Sequence, residues 1–364
     1  MGTVGRTAPA PRPRSTDTLN PPRDGLPGVY VLELAGQDDD PLATLEACAA
    51  CSGVEPLAPG LATARGIGDR VGDLALTRTA CSLVARTDPT VEDAVAGLRA
   101  ALGEEGAGPD DEGATRRGTV RVRARDVRGL TGVSTRAAER RLGGVLTDRG
   151  YPVDLERPDH ELRALFTEGV CALGWVEAET ARDFEARRPT DRPFFQPGSM
   201  DPVLARALVN VAGAGPGATV VDPMCGTGGL LLEAGLVGAR VLGVDAQWKM
   251  VRGAGENLRR YLDGGFATVR GDATRLPVCD GVADAVVFDA PYGKQSKVVG
   301  DLAALVSGAL GEASRIAPRA VLVADRSWTD EAWEAGWRVE TRIERRVHRS
   351  LVRHIHLLVD GPVD

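Results

Sequence analysis

Residues 284–293 read DAVVFDAPYG, and the fold turns on them. A short apolar run, Ala285-Val286-Val287-Phe288, stops at Asp289-Ala290-Pro291-Tyr292-Gly293. A continuous run of this length predicts a strand buried on both faces, as in a parallel sheet. Pro291 has no N–H to extend the ladder, so the strand must end there. In open α/β sheets, chemistry sits just beyond the carboxyl ends of such strands. A carboxylate (Asp289), a backbone carbonyl held ahead of a proline (Ala290) and an aromatic ring (Tyr292) reach that edge together. The carboxylate and carbonyl can accept both hydrogens of an exocyclic amine, and the ring can stack on a planar group. An ordinary strand followed by a Pro-Tyr turn has the same residues, so the stretch is read with its surroundings.

Those surroundings are repeated strand–helix units from Thr219 onward: TVVDPM, GLLLEAGLVG, RVLGVDA, KMVRGAGENLRRYL, ATVRGDA, then DAVVFDAPYG, VGDLAALVSGALGEASRI and AVLVAD. This alternation predicts a doubly wound, mostly parallel sheet. The last two segments, WRVETRIERRV and SLVRHIHLLV, suit a hairpin forming an antiparallel edge. The first strand runs into Asp222-Pro223-Met224-Cys225-Gly226-Thr227-Gly228-Gly229. Glycines there let the backbone turn tightly and approach a ligand closely. The loop has neither GxGxxG nor Gly-Lys-Ser/Thr, so a phosphate cradle is not indicated. Asp222 would repel a pyrophosphate but suits an ammonium or a sulfonium, and S-adenosylmethionine carries both. Asp245 ends the second strand, where an acid binds ribose hydroxyls. Asp272 ends the third, where a side chain can accept from an adenine amine. Each acid alone is commonly a cap; four at the ends of four successive strands point to a site.

DPMCGTGGLLLEAG, GVDA, GDATRLP and DAPYGK resemble the class I S-adenosylmethionine-dependent methyltransferases that modify exocyclic amines. With RPFFQPGSMDPVLARALVNVA ahead of them, the order and spacing are similar to the archaeal THUMP-containing tRNA guanosine-N2 methyltransferases that act at tRNA position 10. The resemblance implies a Rossmann-like, seven-stranded catalytic domain behind an N-terminal THUMP-containing α/β region. It gives Asp222, Gly226 and Gly228 to the methionine side of the cofactor, with Cys225 and Thr227 of the same loop also cofactor-binding. Asp245 takes the ribose and Asp272 with Ala273 the adenine edge; Ala246 and Asp289 are also counted as cofactor-binding. Asp289, Ala290, Pro291 and Tyr292 match the catalytic tetrapeptide written Asp or Asn, Pro, Pro, Tyr. Ala290 departs from that pattern, but it contributes a carbonyl, which alanine also has. An amino-group methyltransferase acting on DNA or protein, and an RNA-binding protein with a decayed loop, remain as alternatives.

Ahead of the sheet, 364 residues leave room for further domains. The expected division is a disordered extension (1–27), a ferredoxin-like plus THUMP region (28–178), a linker (179–200) and the methyltransferase domain (201–364). Strands are expected at Val29–Leu34, Leu74–Leu76, Ser82–Val84, Glu161–Phe166 and Gly169–Trp175, with helices at Pro41–Cys51, Val91–Leu102 and Ser134–Arg149. TVRVRARDV (Thr119–Val127) alternates strictly, predicting a half-buried strand with Arg121, Arg123 and Arg125 on one face. With Arg136 and Arg140 on the following helix, these are the candidate RNA contacts; a solvated face is the plainer account.

Net charge is −7, which does not advertise nucleic-acid binding. Only Lys249, Lys294 and Lys297 are lysines among 44 cationic residues. No apolar run is long enough to span a bilayer and no export signal is evident, so a cytoplasmic, monomeric enzyme with tRNA as partner is expected. Cys48-Ala-Ala-Cys51 lacks a second pair to complete a zinc set, and the six cysteines are expected to be buried thiols. No metal is expected.

Overall fold

The computed structural model describes residues 29–36, 40–103, 116–291, 302–348 and 351–361. The expected extension at 1–27 and Tyr292 lie outside the described residues.

The N-terminal half runs β1 (Tyr30–Leu34), α1 (Asp40–Ala47), β2 (Cys51–Ser52), β3 (Glu55–Ala58), β4 (Leu61–Ala64), β5 (Gly66–Ile67), β6 (Thr77–Thr87), α2 (Val91–Leu102), β7 (Val120–Asp126), α3 (Thr135–Thr147), β8 (His160–Thr167) and β9 (Val170–Glu179). Seven of these strands form one sheet in the order β3-β4-β1-β6-β9-β8-β7. All its pairs are antiparallel except β7 with β8. Thr90 caps α2 by accepting from the Asp93 N–H at 3.1 Å, and Ser134 caps α3 likewise. Leu74–Leu76 does not form the expected strand. The N–H groups of Ala75 and Leu76 are each taken by the Glu46 carboxylate at 2.7 Å, so they are lost to any ladder.

The C-terminal half runs α4 (Pro202–Ala212), β10 (Thr219–Asp222), α5 (Gly229–Leu236), β11 (Arg240–Asp245), α6 (Trp248–Tyr261), β12 (Phe266–Arg270), β13 (Ala285–Asp289), α7 (Leu302–Ile316), β14 (Arg319–Ala324), α8 (Thr329–Glu334), β15 (Trp337–His348) and β16 (Leu351–Asp360). Its sheet has the order β12-β11-β10-β13-β14-β16-β15, the expected seven-stranded Rossmann-like arrangement. The five strands from β12 to β14 are parallel; β16 returns antiparallel to β14, leaving β15 at the edge. The direction of winding reverses between β10 and β13, and that crevice is where such sheets bind ligands.

Strand alternation sorts the sheet into two faces. Val220, Val241, Ala285, Val287, Val321, Val323, Ile355 and Leu357 pack under α4 and α5. Val221, Val244, Val286, Phe288, Leu322 and Leu358 pack against α7 and α8. Counting in twos, Asp222, Asp245 and Asp289 end their strands on the first face.

That first face does not belong to the C-terminal half alone. Its cluster includes Leu32, Leu42, Ala43, Ala47, Leu74 and Leu76 from the N-terminal half. Helix α4 is the bridge, with every residue from Leu204 to Ala212 buried, as an element packed on all sides must be. Glu46 and Asn210, both fully buried, lock the junction. Asn210 donates to Glu46 at 2.7 Å and to the Asp73 carbonyl at 3.1 Å, and accepts from Arg70 at 3.3 Å. Burial pushes the Glu46 carboxyl above its ordinary range, although the Ala75, Asn210 and Leu76 donors oppose the shift. Residues 179–200 are likewise anchored. Arg187 bonds buried Glu233 of α5 at 2.7 Å, and Arg206 of α4 meets the same carboxylate at 2.9 Å.

Four cysteines are buried, but Cys48 and Cys279 are exposed, correcting the expectation for those two. No helix among the described residues is long and apolar enough to cross a membrane.

Replacing Glu46 by Ala strands two backbone donors and one amide at the junction. Urea unfolding should show a loss of ~3 kcal/mol or more, in one transition reported equally by both halves.

Candidate active site

A cavity of about 200 Å³ opens at the reversal between β10 and β13. Asp222, Met224, Cys225, Gly226, Thr227, Gly229 and Leu230 form one wall, residues 196–200 the other, and Met250 and Asp289 complete the lining. The structure therefore brings together Asp222, Cys225, Gly226, Thr227 and Asp289 from the expected set. None of these described lining residues is cationic.

The loop after β10 is shaped by two left-handed glycines. Gly226 has φ 51° and Gly228 φ 77°, and Gly228 caps α5. A Cβ on Gly228 would lie 3.2 Å from that of Ala254, a tight approach to α6 that adds to the preference for glycine. Asp222 is 2% exposed and accepts from the Met224 N–H at 3.0 Å. Desolvation pushes its carboxyl well above the ordinary range, and the nearby charges of Asp245 and Asp289 push it the same way. Asp245 accepts from Gly226 N–H at 3.1 Å and Gln247 N–H at 2.8 Å, so it holds the loop from behind; burial raises its carboxyl too. At the end of β13 the Ala290 N–H is bonded to the Val323 carbonyl at 2.8 Å, which fixes that peptide. Buried Ala290 and half-buried Pro291 follow Asp289 directly.

Sequence reasoning missed the second wall. The expected linker (179–200) includes FFQPGSM, yet residues 196–200 line the cavity. Asn257 of α6 explains why. Its amide donates to the Phe194 carbonyl at 2.8 Å and the Thr227 carbonyl at 2.9 Å, and its oxygen accepts from the Phe194 N–H at 2.9 Å. Ser199 and Thr227 hydroxyls meet at 3.1 Å. The available signal was Gly253 inside α6: a Cβ there would lie 2.1 Å from the Phe194 ring.

Asp272 and Ala273 stand apart from the cavity. Asp272 is exposed, two residues beyond β12, and its carboxylate accepts from the N–H and hydroxyl of Thr274. Those bonds hold it below the ordinary carboxylate range. The Ala273 side chain is in the core against α7, and Ala246 is exposed.

The arginines of β7 do share a face, with Val120, Val122 and Ala124 buried on the other. Two of them are neutralised within the sheet: Arg121 pairs with Glu161, and Arg125 with Glu33 at 3.1 Å. Arg123 is exposed. Arg136 and Arg140 are exposed on α3, which packs on the opposite face through Ala138 and Leu142. The five do not form one patch.

The raised carboxyl of Asp222 has a cost for the ligand-free protein. A folded-state value above the unfolded one leaves stability intact below about pH 4 and loses it as pH rises through the folded value. Asp222→Asn should therefore raise the thermal midpoint near pH 7, by the equivalent of ~1 kcal/mol. The gain should vanish as the pH approaches 4, and affinity for a cationic ligand should fall.

The family profile described as "RMKL-like, methyltransferase domain" matches residues 189–355. The chain is 43% identical to the tRNA (guanine(10)-N2)-dimethyltransferase of Methanothermobacter thermautotrophicus over 178 residues, covering 48% of this chain and 53% of that protein. It is 30% identical to the enzyme of the same name from Pyrococcus abyssi over 225 residues, covering 60% and 68%. The crystal structure of TrmN from Thermus thermophilus superposes with a TM-score of 0.48 at 26% identity, over 92% of this chain and 100% of that one. The chain thus spans about half the length of the first of these relatives and two-thirds of the second. On the longer alignment, with the loop, the acids and the strand order already described, the chain belongs to the tRNA (guanine(10)-N2)-dimethyltransferase family.

Proposed function

We propose that the protein transfers methyl groups from S-adenosylmethionine to the N2 amine of a guanosine in tRNA, at position 10, giving the N2-methyl and N2,N2-dimethyl products. The observation that carries this reading is the meeting of Asp222 and Asp289 in one cavity at the reversal of the sheet. A carboxylate only 2% exposed, in a cavity without a cationic lining residue among those described, fits a cationic ligand. When bound, S-adenosylmethionine supplies a methyl group on a positively charged sulfur. Asp222 answers the ammonium of its methionine part, and the Gly226–Gly228 backbone leaves room for its chain.

Guanine N2 is a weak nucleophile because its lone pair is delocalised into the ring. Asp289 and the Ala290 carbonyl accept its hydrogens and turn the lone pair toward the methyl carbon. Positioning and electrostatics supply most of the rate. As N2 gains a carbon it gives up one proton, which Asp289 takes. One hydrogen remains on the amine, so a second round is chemically open. Tyr292 stacks on a base turned out of its helix in this reading.

The N-terminal half grips the tRNA by shape, with Arg123, Arg136 and Arg140 as the candidate phosphate contacts. The protein's domains are those of the sequence division, 28–178 and 201–364, and the enzyme works as a monomer in the cytoplasm. Because the halves share a core, point variants rather than truncation test the grip. Arg123→Ala with Arg136→Ala should raise the KM for tRNA several-fold and flatten its salt dependence, leaving cofactor affinity unchanged.

Asp289→Ala should lower methyl transfer to bulk tRNA by at least 10³-fold while calorimetry finds cofactor binding within a few-fold of the parent. Wild-type turnover by that variant, or labelling of duplex DNA in preference to tRNA, would overturn the reading.

A further inference from the structure

We infer that Arg353 is a positioning residue for Asp289. This rests on the assignment of Asp289 as the group that receives the target amine. Arg353 lies on β16, 64 residues further along the chain, and was not foreseen from the sequence. Register brings the two together. Asp289 sits beside Val323 of β14, and Val323 beside Ile355 of β16. These three residues share the face that carries Asp222. Arg353 precedes Ile355 by two, so it points from the same face, one step nearer the carboxyl edge. Its guanidinium reaches across β14 to within 4.0 Å of Asp289 Oδ2.

The surroundings make a cation there consequential. Charged groups near Asp289 among the described residues include Asp222 from β10, with Asp245 of β11 behind it, and Arg353 from β16. Two carboxylates facing one cavity repel, and the more so as water is excluded. Arg353 is itself 8% exposed, so its charge is weakly screened and it is held in place by packing. It places a positive charge beside the Asp289 carboxylate, which opposes the repulsion from Asp222 and biases how Oδ2 is oriented. His354, the next residue, alternates to the opposite face and takes no part.

The test compares Arg353→Met, which keeps length and loses charge, with Arg353→Lys. Wild-type protein is first shown to methylate tRNA; failure there would sink the functional assignment and not this one. Arg353→Met should then lower kcat about 100-fold, with tRNA KM and S-adenosylmethionine Kd within threefold of wild type. The acidic limb of its kcat–pH profile should move up by about one pH unit. Arg353→Lys should recover most of the rate and return the limb toward its original place. Should the Met variant not fold, the Lys variant decides: its displaced charge should shift the limb part-way with cofactor affinity unchanged. A normal kcat and limb in Arg353→Met, or a normal limb in a Lys variant tested alone, would overturn the inference. So would a cofactor affinity that falls in step with kcat.

Discussion

Like charges held close at the ends of neighbouring strands are the constraint around which the catalytic half is arranged. Asp222, Asp245 and Asp289 end β10, β11 and β13 on one face of the sheet, and the first is almost wholly buried. Nothing in folding favours that arrangement; a buried, uncompensated carboxylate costs stability. The rest of the half reads as its containment. Hydrogen bonds from Met224, Gly226 and Gln247 hold two of the acids. Left-handed glycines bring backbone donors round them without side chains in the way. Burial and mutual repulsion both disfavour the charged form of Asp222, so a cation placed beside it would favour that form.

Much of this was legible in the sequence because it is local. The strand ending at Pro291 follows from a missing N–H, and the glycine loop from backbone freedom. The order of strand–helix units fixes the sheet class through connection rules. Asp201 and Thr90 cap α4 and α2 through bonds that need only neighbours two or three residues away.

What was not legible is what long-range contact decides. Leu74–Leu76 has strand composition, but Glu46 removes its donors from 29 residues upstream. Arg121 and Arg125 look like an open cationic face until β8 and β1 supply Glu161 and Glu33. Asp272 looked like its counterparts on the other strands; two residues past β12, its own turn consumes the carboxylate. Residues 196–200 gave no periodic signal, since a cavity wall held by Asn257 has none.

The continuous core around α4 has a further meaning. Two units joined by a flexible tether can search for a substrate of variable geometry, whereas two halves fused through Leu42, Leu74, Leu208 and Ile355 cannot. The span from the outer sheet to the cavity is then a fixed ruler. Any ligand that touched both sheets at once would have to match a separation set by the packing of α4, since no hinge between the halves could adjust it.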